Sequence, residues 1–266
     1  MTRAGEGSDL LDPDKIKANL KTRRIGKKVL VYKSTSSTND VAAEYAKNKK
    51  NDGLAVFAEE QTAGRGRAGN KWVAGRGDSI LCSIVLTDCN CSGELLPLTC
   101  AVAVAEAIGK VGGGEARIKW PNDVRLNNKK VAGILVESKK QKGGNVYIIG
   151  IGINCHQNKG AFGGELRTTA TSIDLEGGAV CDRISLAKRL LCSMDHWLDV
   201  AEKDSGKVIR RWKRLSVLLG QRLTVVLKGR EFAGNCIGID PEEGLIVQLD
   251  RGGVRMFDAA HTTIAK

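Results

Sequence analysis

Between residues 116 and 155 four strand-length runs follow one another: ARIKW, DVRLN, KVAGILVESK and NVYIIGIGINC. Only the turn signals PND, NNK and KGG separate them, so the segment reads as a strand meander packed on helices. Upstream, GKKVLVYKS predicts a strand, and STSSTND supplies hydroxyl and Asx caps for a helix through Val41 to Lys49. Leu54 to Ala58 and SILCSIVLTD predict two further strands. Leu95 to Val111, with Pro97 near its first turn, is apolar all round, the pattern of a buried helix. Ala187, Leu190, Leu191, Met194, Trp197, Leu198 and Ala201 recur at three- and four-residue spacing, which predicts an amphipathic helix over Ile184 to Lys203. A shorter helix is expected over Val208 to Leu215. From Gln221 the texture changes to RLTVVL, EFAGNCIGI, LIVQL and VRMF with turns at KGR, DPEEG and DRGG, which predicts a little β-barrel leaning on the larger domain. The fold class is therefore α+β, a mixed β-sheet packed with helices. Its expected divisions are a charged lead-in over 1–27, a large domain over 28–218 and a small one over 219–266.

A chain of 266 residues with 42% hydrophobic content can bury such a core. Residues 1–28 are polar and charged with only Leu10, Leu11, Ile16, Leu20 and Ile25 scattered through them, a pattern that does not resemble a signal peptide, and the longest apolar run is too short to span a bilayer. The eight cysteines sit mostly in apolar stretches such as ILCSIVL, with no C-x-x-C pair, which fits reduced thiols in a cytoplasmic protein. Cys89 and Cys91 are the one closely spaced pair, and with three histidines in the chain packing outweighs a zinc site. Net charge of +12 points to anionic partners, and aromatics at 4% argue against a stacking platform for single-stranded nucleic acid.

Gln61 to Trp72 reads QTAGRGRAGNKW, a literal G-x-G-x-x-G. A strand precedes it, and Asp88 stands at about the spacing of a ribose-binding acid. The helix that must start at the last glycine is missing, because Ala68 to Asp78 reads AGNKWVAGRGD without apolar periodicity; no G-K-[ST] follows either. What remains is a glycine-permissive loop carrying Arg65, Arg67, Lys71 and Arg76, suited to wrap an anion that arginine grips with paired donors.

KWPND at 119–123 places a cation, an aromatic and a carboxylate at a strand end, although alone it is an ordinary Pro-Asn-Asp turn. By two-residue period Lys130 shares a face with Ala132, Ile134 and Val136, where it needs an anionic partner or must snorkel to water. Gly150 and Gly152 alternate in IGIGINC, which is costly unless a ligand or another backbone comes close.

In this order STND, GRGRAG followed by tryptophan, KWPND, KVAGILVE and GIGIN resemble the biotin protein ligase family, from about residue 12 to the C-terminus. The resemblance implies a fold like class II aminoacyl-tRNA synthetases and biotin ligases, with an SH3-like terminal domain. It implies ATP-dependent conversion of biotin to biotinyl-5′-AMP and transfer to a lysine of a biotin carboxyl carrier protein domain. ATP and biotin are then substrates, Mg²⁺ assists, and a homodimer is expected. Repressing members of the family carry an N-terminal helix-turn-helix domain; only a short lead-in precedes the motifs here, so no DNA binding is expected.

Carried onto matching positions, the resemblance assigns biotin to Ser37, Thr38, Asn39, Gln61, Gly64, Arg65, Gly66, Arg67 and Lys130, with Gly133 and Gly152 lining the pocket. It assigns ATP to Trp72, packed on adenine, to Lys119, Asn122, Asp123 and Lys130, and to Gly150 and Asn154. Lys130, Arg65 and Arg67 are the catalytic candidates, and Asp123 the candidate Mg²⁺ ligand. A carboxylate brought against a triphosphate needs fixed cations rather than a Ser/His pair. The loop is expected to stand open when empty and to close over the adenylate. Ala68 departs from the family, where that position is often basic. A lipoate ligase is the nearest rival, but its RR-x-x-GGG run and His-Asp are absent. A non-catalytic nucleic-acid-binding protein would explain the charge but not the ordered motifs.

Overall fold

The computed structural model describes residues 9–111, 114–141 and 144–265. Seven strands form the main sheet: β1 (Val29–Tyr32), β2 (Ala55–Ala58), β3 (Ser79–Leu86), β4 (Arg117–Lys119), β5 (Asp123–Leu126), β6 (Lys129–Gln141) and β7 (Gly144–Asn154). Their order is β1-β2-β3-β7-β6-β5-β4. β1 and β2 pair in parallel and all other neighbours are antiparallel, so the sheet is mixed and its second half is the expected meander.

Strand alternation assigns the two faces. Ile80, Cys82, Ile84 and Leu86 of β3, and Ile149, Ile151 and Ile153 of β7, point into the larger core. There they meet α3 (Leu95–Gly109), whose apolar circumference is almost wholly buried, and α6 (Arg183–Lys203), held at its start by Asp182 accepting from the Ile184 and Ser185 amides. α7 (Ser205–Leu215) closes the layer through Val208, Trp212 and Leu215.

The opposite face is covered only in part. α2 (Thr38–Tyr45) lies on Val56, Val85, Val146 and Ile148 through Ala42, and Ala46 just past its end adds to the same cluster. Beyond its N-terminus that face continues through buried Ser83 to Leu81, Gly150, Gly152 and Gly133, and these last four floor an open cleft. α2 ends earlier than its sequence suggests, with a separate 3-10 turn over Lys49–Asn51.

The lead-in is built into the core. Leu11, Ile16 and Ile25 are buried, and α1 (Pro13–Lys17) is capped by Asp12, whose carboxylate accepts from the Asp14 and Lys15 amides. Two short helices not anticipated, α4 (Leu166–Thr169) and α5 (Ile173–Gly177), follow β7.

The terminal segment forms a second sheet of β8 (Arg222–Leu227), β9 (Arg230–Asp240), β10 (Gly244–Leu249), β11 (Val254–Phe257) and β12 (Thr262–Ile264). Its order is β11-β10-β9-β8-β12, with a β8–β9 turn on Lys228 and Gly229, both at positive φ. Among the described residues β11 and β12 do not pair with each other, so the hydrogen bonding describes an open antiparallel sheet and not the closed barrel expected. Leu223, Val225, Leu245, Val247 and Phe257 of this sheet belong to the same core cluster as α3 and α6.

Candidate active site

A cleft of about 710 Å³ opens on the sparsely covered face of the main sheet. At one end sits a buried polar cluster at the start of α2. Ser37, Thr38 and Asn39 are each under 5% exposed, because the helix N-terminus is driven against the sheet. Gln61 Oε1 accepts from the Thr38 amide at 2.7 Å and from its hydroxyl at 2.9 Å. Ser83 Oγ lies 2.5 Å from Asn39 Oδ1, and Asn39 Nδ2 donates to Glu137 at 2.7 Å. A Cβ on Gly150 would stand 2.5 Å from Asn39 Oδ1, so this glycine exists to admit that side chain. The donors and acceptors there are buried and hold one another in fixed directions, as a preorganised polar subsite requires.

The glycine–arginine loop is a short hairpin seated on the cleft. Trp72 N donates to Gly64 O at 3.0 Å and Gly66 N to Asn70 O at 2.7 Å, while Ala68 (φ 52°) and Gly69 (φ 76°) make the tip left-handed. Ala68 is thus a strained turn residue at the exposed tip. Trp72 returns into the cleft with its ring 2.5 Å from where a Gly152 Cβ would be and 3.0 Å from that of Gly133. Gly133 and Gly152 are direct cross-strand partners, so two missing side chains make one seat for the indole. The alternation of glycines in β7 is explained by two side chains, Asn39 and Trp72, rather than by an approaching backbone.

Lys130 reaches the cleft by a route that periodicity does not reveal. Asp123 pairs with Gly133 and Val124 with Ala132, but Arg125 pairs with Lys130, so Val131 is an extra residue. This β-bulge turns Lys130 away from the face of buried Ala132 and Ile134, with which the two-residue period groups it, and onto the face of Gly133. There its Nζ lies 2.6 Å from Asp123 Oδ1 and 5.9 Å from the Trp72 ring centroid.

Other cations surround this pair. Arg67 reaches across to Asn122 Oδ1 and to the Ala259 carbonyl; burial lowers its pKa, while the charge of Asp123 opposes that shift. Arg65 points outward to Asp40 at 2.7 Å, a pairing that raises its pKa and holds Asp40 below the usual carboxylate range. Asn122 is occupied on one side, donating to Ile134 O and accepting through its own carbonyl from Ile134 N. Among the described residues six lysines and arginines line the cleft against two carboxylates, Asp123 and Glu165. Such a site favours a polyanion.

Ser37, Thr38, Asn39, Gln61, Arg65, Gly66, Arg67, Trp72, Lys119, Asn122, Asp123, Lys130, Gly133, Gly150 and Gly152 all line this one cleft. Two candidates do not. Gly64 accepts the Trp72 amide at the hairpin neck, and Asn154, the last residue of β7, turns away to donate to Thr171 O at 2.9 Å.

Arg125 was overlooked in the sequence. Val124 and Leu126 are buried on the core side, so alternation puts Arg125 beside Asp123 on the cleft side, where its Nε is covered and without a partner. Thr262 of β12 also lines the cleft with a buried hydroxyl lacking a partner, so the second sheet supplies one wall.

Residues 31–154 match the biotin/lipoate A/B protein ligase family model. The chain is 32% identical over 253 residues to the bifunctional ligase/repressor BirA of Bacillus subtilis, covering 94% of this chain and 78% of that one. It is 30% identical over 258 residues to the biotin–[acetyl-CoA-carboxylase] ligase of Mycobacterium tuberculosis, covering 92% and 93%. In three dimensions it is similar to the biotin protein ligase of Aquifex aeolicus in complex with biotin and ATP, with a TM-score of 0.77, 25% identity, and coverage of 90% of this chain and 99% of that one.

Proposed function

Since the chain belongs to the biotin protein ligases of the biotin/lipoate A/B family, and so joins biotin to protein at the expense of ATP, we propose that the cleft on the main sheet performs both steps. The observation that carries this is the bulge at Val131, which brings Lys130 beneath Trp72 and against Asp123 in a strongly cationic cleft.

In the first step a biotin carboxylate oxygen attacks the α-phosphorus of ATP and pyrophosphate leaves. Both reactants are anions, so the protein's task is to cancel their repulsion with charges already in place. Lys130 lies where it can bridge the carboxylate and the α-phosphate, its own charge steadied by Asp123. Arg67, Arg125 and Lys119 receive the phosphate chain, and Trp72 offers a face to adenine. The buried cluster of Ser37, Thr38, Asn39 and Gln61 takes the ureido ring, and Arg65 and Gly66 of the hairpin cover it. In the second step the acceptor lysine of a carrier domain attacks the acyl carbon and AMP leaves.

Magnesium fits this donor set in one way. No group of three or more His, Cys, Asp or Glu side chains able to hold a metal occurs among the described residues. Mg²⁺ usually rides on substrate phosphates with one or two protein carboxylates. Asp123, with Asn122 beside it, is the residue pair to hold it, and the ion would neutralise phosphate charge. We read the terminal sheet as an SH3-like domain that walls the site, and residues 28–218 as the catalytic domain.

Incubation with biotin and ATP tests the assignment. Pyrophosphate release and a bound biotinyl-adenylate are expected with biotin and not with lipoate; pyrophosphate release with lipoate alone would overturn it.

A further inference from the structure

The loop between β3 and α3 holds a feature that the ligase chemistry does not use. Cys89 Sγ and Cys91 Sγ are in contact at 3.0 Å, one thiol hydrogen-bonded to the other. A disulfide needs about 2.05 Å between the sulfurs, so closing the pair takes roughly 1 Å of movement in a loop whose Asp88 and Asn90 are exposed. The two thiols differ in the way a reactive and a resolving cysteine must. Cys89 is half-buried and reachable from solvent, whereas Cys91 is 8% exposed. The hydrogen bond from Cys91 lowers the Cys89 pKa, and the nearby Arg24 guanidinium adds to that; the same contact pushes Cys91 up.

The other cysteines are poor competitors. Cys82, Cys100, Cys155, Cys181 and Cys236 are buried, and burial raises the first three well above the usual thiol range. Cys192 is half-buried like Cys89, but its sulfur hydrogen-bonds to the Lys21 carbonyl at 4.0 Å and not to a second thiol.

We propose that Cys89 and Cys91 form a dithiol modification site that exchanges with small-molecule disulfides of the glutathione class. Cys89 thiolate attacks one sulfur of the small disulfide, whose S–S bond breaks and releases one half as thiolate. Cys91 then gives up its proton and attacks the Cys89 sulfur, forming the Cys89–Cys91 bond and displacing the second half. Two protein thiols are oxidised, one small disulfide is reduced, and the two protons leave with the two small thiols. The pair lies past the far end of β3, whose Leu81 and Cys82 line the cleft at its beginning. Ligation is therefore expected to continue in the oxidised protein. The link would form beside the junction where Arg24 ties Asp52, Glu202 and the Asp88 carbonyl together.

The test treats the full-length protein with oxidised glutathione, alkylates the remaining thiols and maps the unreduced peptides by mass spectrometry. The expected result is a Cys89–Cys91 link, reversed by dithiothreitol, with six alkylated cysteines where the untreated chain shows eight. Cys91→Ser should stop at a stable glutathione adduct on Cys89, formed at least about tenfold faster than any on Cys192. Cys89→Ser should give neither link nor rapid adduct. Retained pyrophosphate release shows each variant folded. Eight alkylated cysteines after treatment, an adduct accumulating on Cys192 first, or a glutathione adduct on Cys89 that persists in the parent protein would each overturn the proposal.

Discussion

Under the proposed function Lys130, Trp72 and Arg125 carry the chemistry, and each makes a separate forecast. Lys130→Ala leaves Asp123 without its cation and the reacting anions without their bridge. Pyrophosphate release should fall by about 100-fold or more, the scale on which a fixed electrostatic group contributes, while the melting temperature barely moves; undiminished release in that variant refutes the role. Gly152→Val places a side chain where the Trp72 ring lies, its Cβ starting 2.5 Å from the indole. The indole must leave its seat, and KM for ATP should rise about tenfold, since base stacking on an aromatic contributes roughly 1–3 kcal/mol. Biotin binding, measured by calorimetry, should survive because the Ser37–Asn39 cluster is untouched. Arg125→Ala should likewise raise KM for ATP about tenfold, a charge-assisted hydrogen bond being worth roughly 1.5–3 kcal/mol. Arg125→Lys should recover part of that loss, and identical kinetics in all three proteins would remove Arg125 from the site.

Among the elements, the hairpin from Gly64 to Trp72 is the one to which the proposed function gives a mechanical task. Its tip rests on Arg67, which is tied to Asn122 and to Ala259 of the terminal segment. Biotin and ATP together should slow amide exchange across 64–72, and Arg67→Gly should speed adenylate dissociation about tenfold, measured by trapping released adenylate. The β-meander, the long helices and most cleft residues were legible because period-two and period-3.6 patterns and turn residues are local signals. Lys130 was placed on the wrong face because a single inserted residue, Val131, reverses the alternation, and register is a property of two strands. Arg125 is legible in the alternation that starts at Asp123. Leu11, Ile16 and Ile25 looked like a scattered, charged lead-in because their burial depends on α6 and the sheet arriving around them. α4, α5 and β12 are too short to carry a period.

At the scale of the molecule, charge is buried as well as displayed. Arg183, 1% exposed, donates to Glu59 at 2.8 Å and to Asp9 at 2.7 Å, and His156 bridges Asp9 and Asp174 at 2.7 Å each. The network pins the lead-in and α6 to the end of β2, from which the loop region starts. Hydrogen bonds donated to Asp9 and then to Asp174 outweigh burial and raise the His156 pKa to about 9. A histidine raised above its ordinary value contributes fully below about pH 6.5, and that contribution is lost as pH rises toward 9. The shift corresponds to about 3 kcal/mol. Denaturant unfolding at pH 6 should therefore show His156→Gln less stable than the parent by about that order, with the gap closing by pH 9; a gap constant across that range would contradict the pairing. The hydrophobic cluster that joins the two sheets has a consequence of its own. Leu223, Val225 and Phe257 share it with α3 and α6, and Thr262 shares the cleft wall. Heat should then melt both sheets in one calorimetric peak, and an adenylate bound between them should move that single peak upward as a whole.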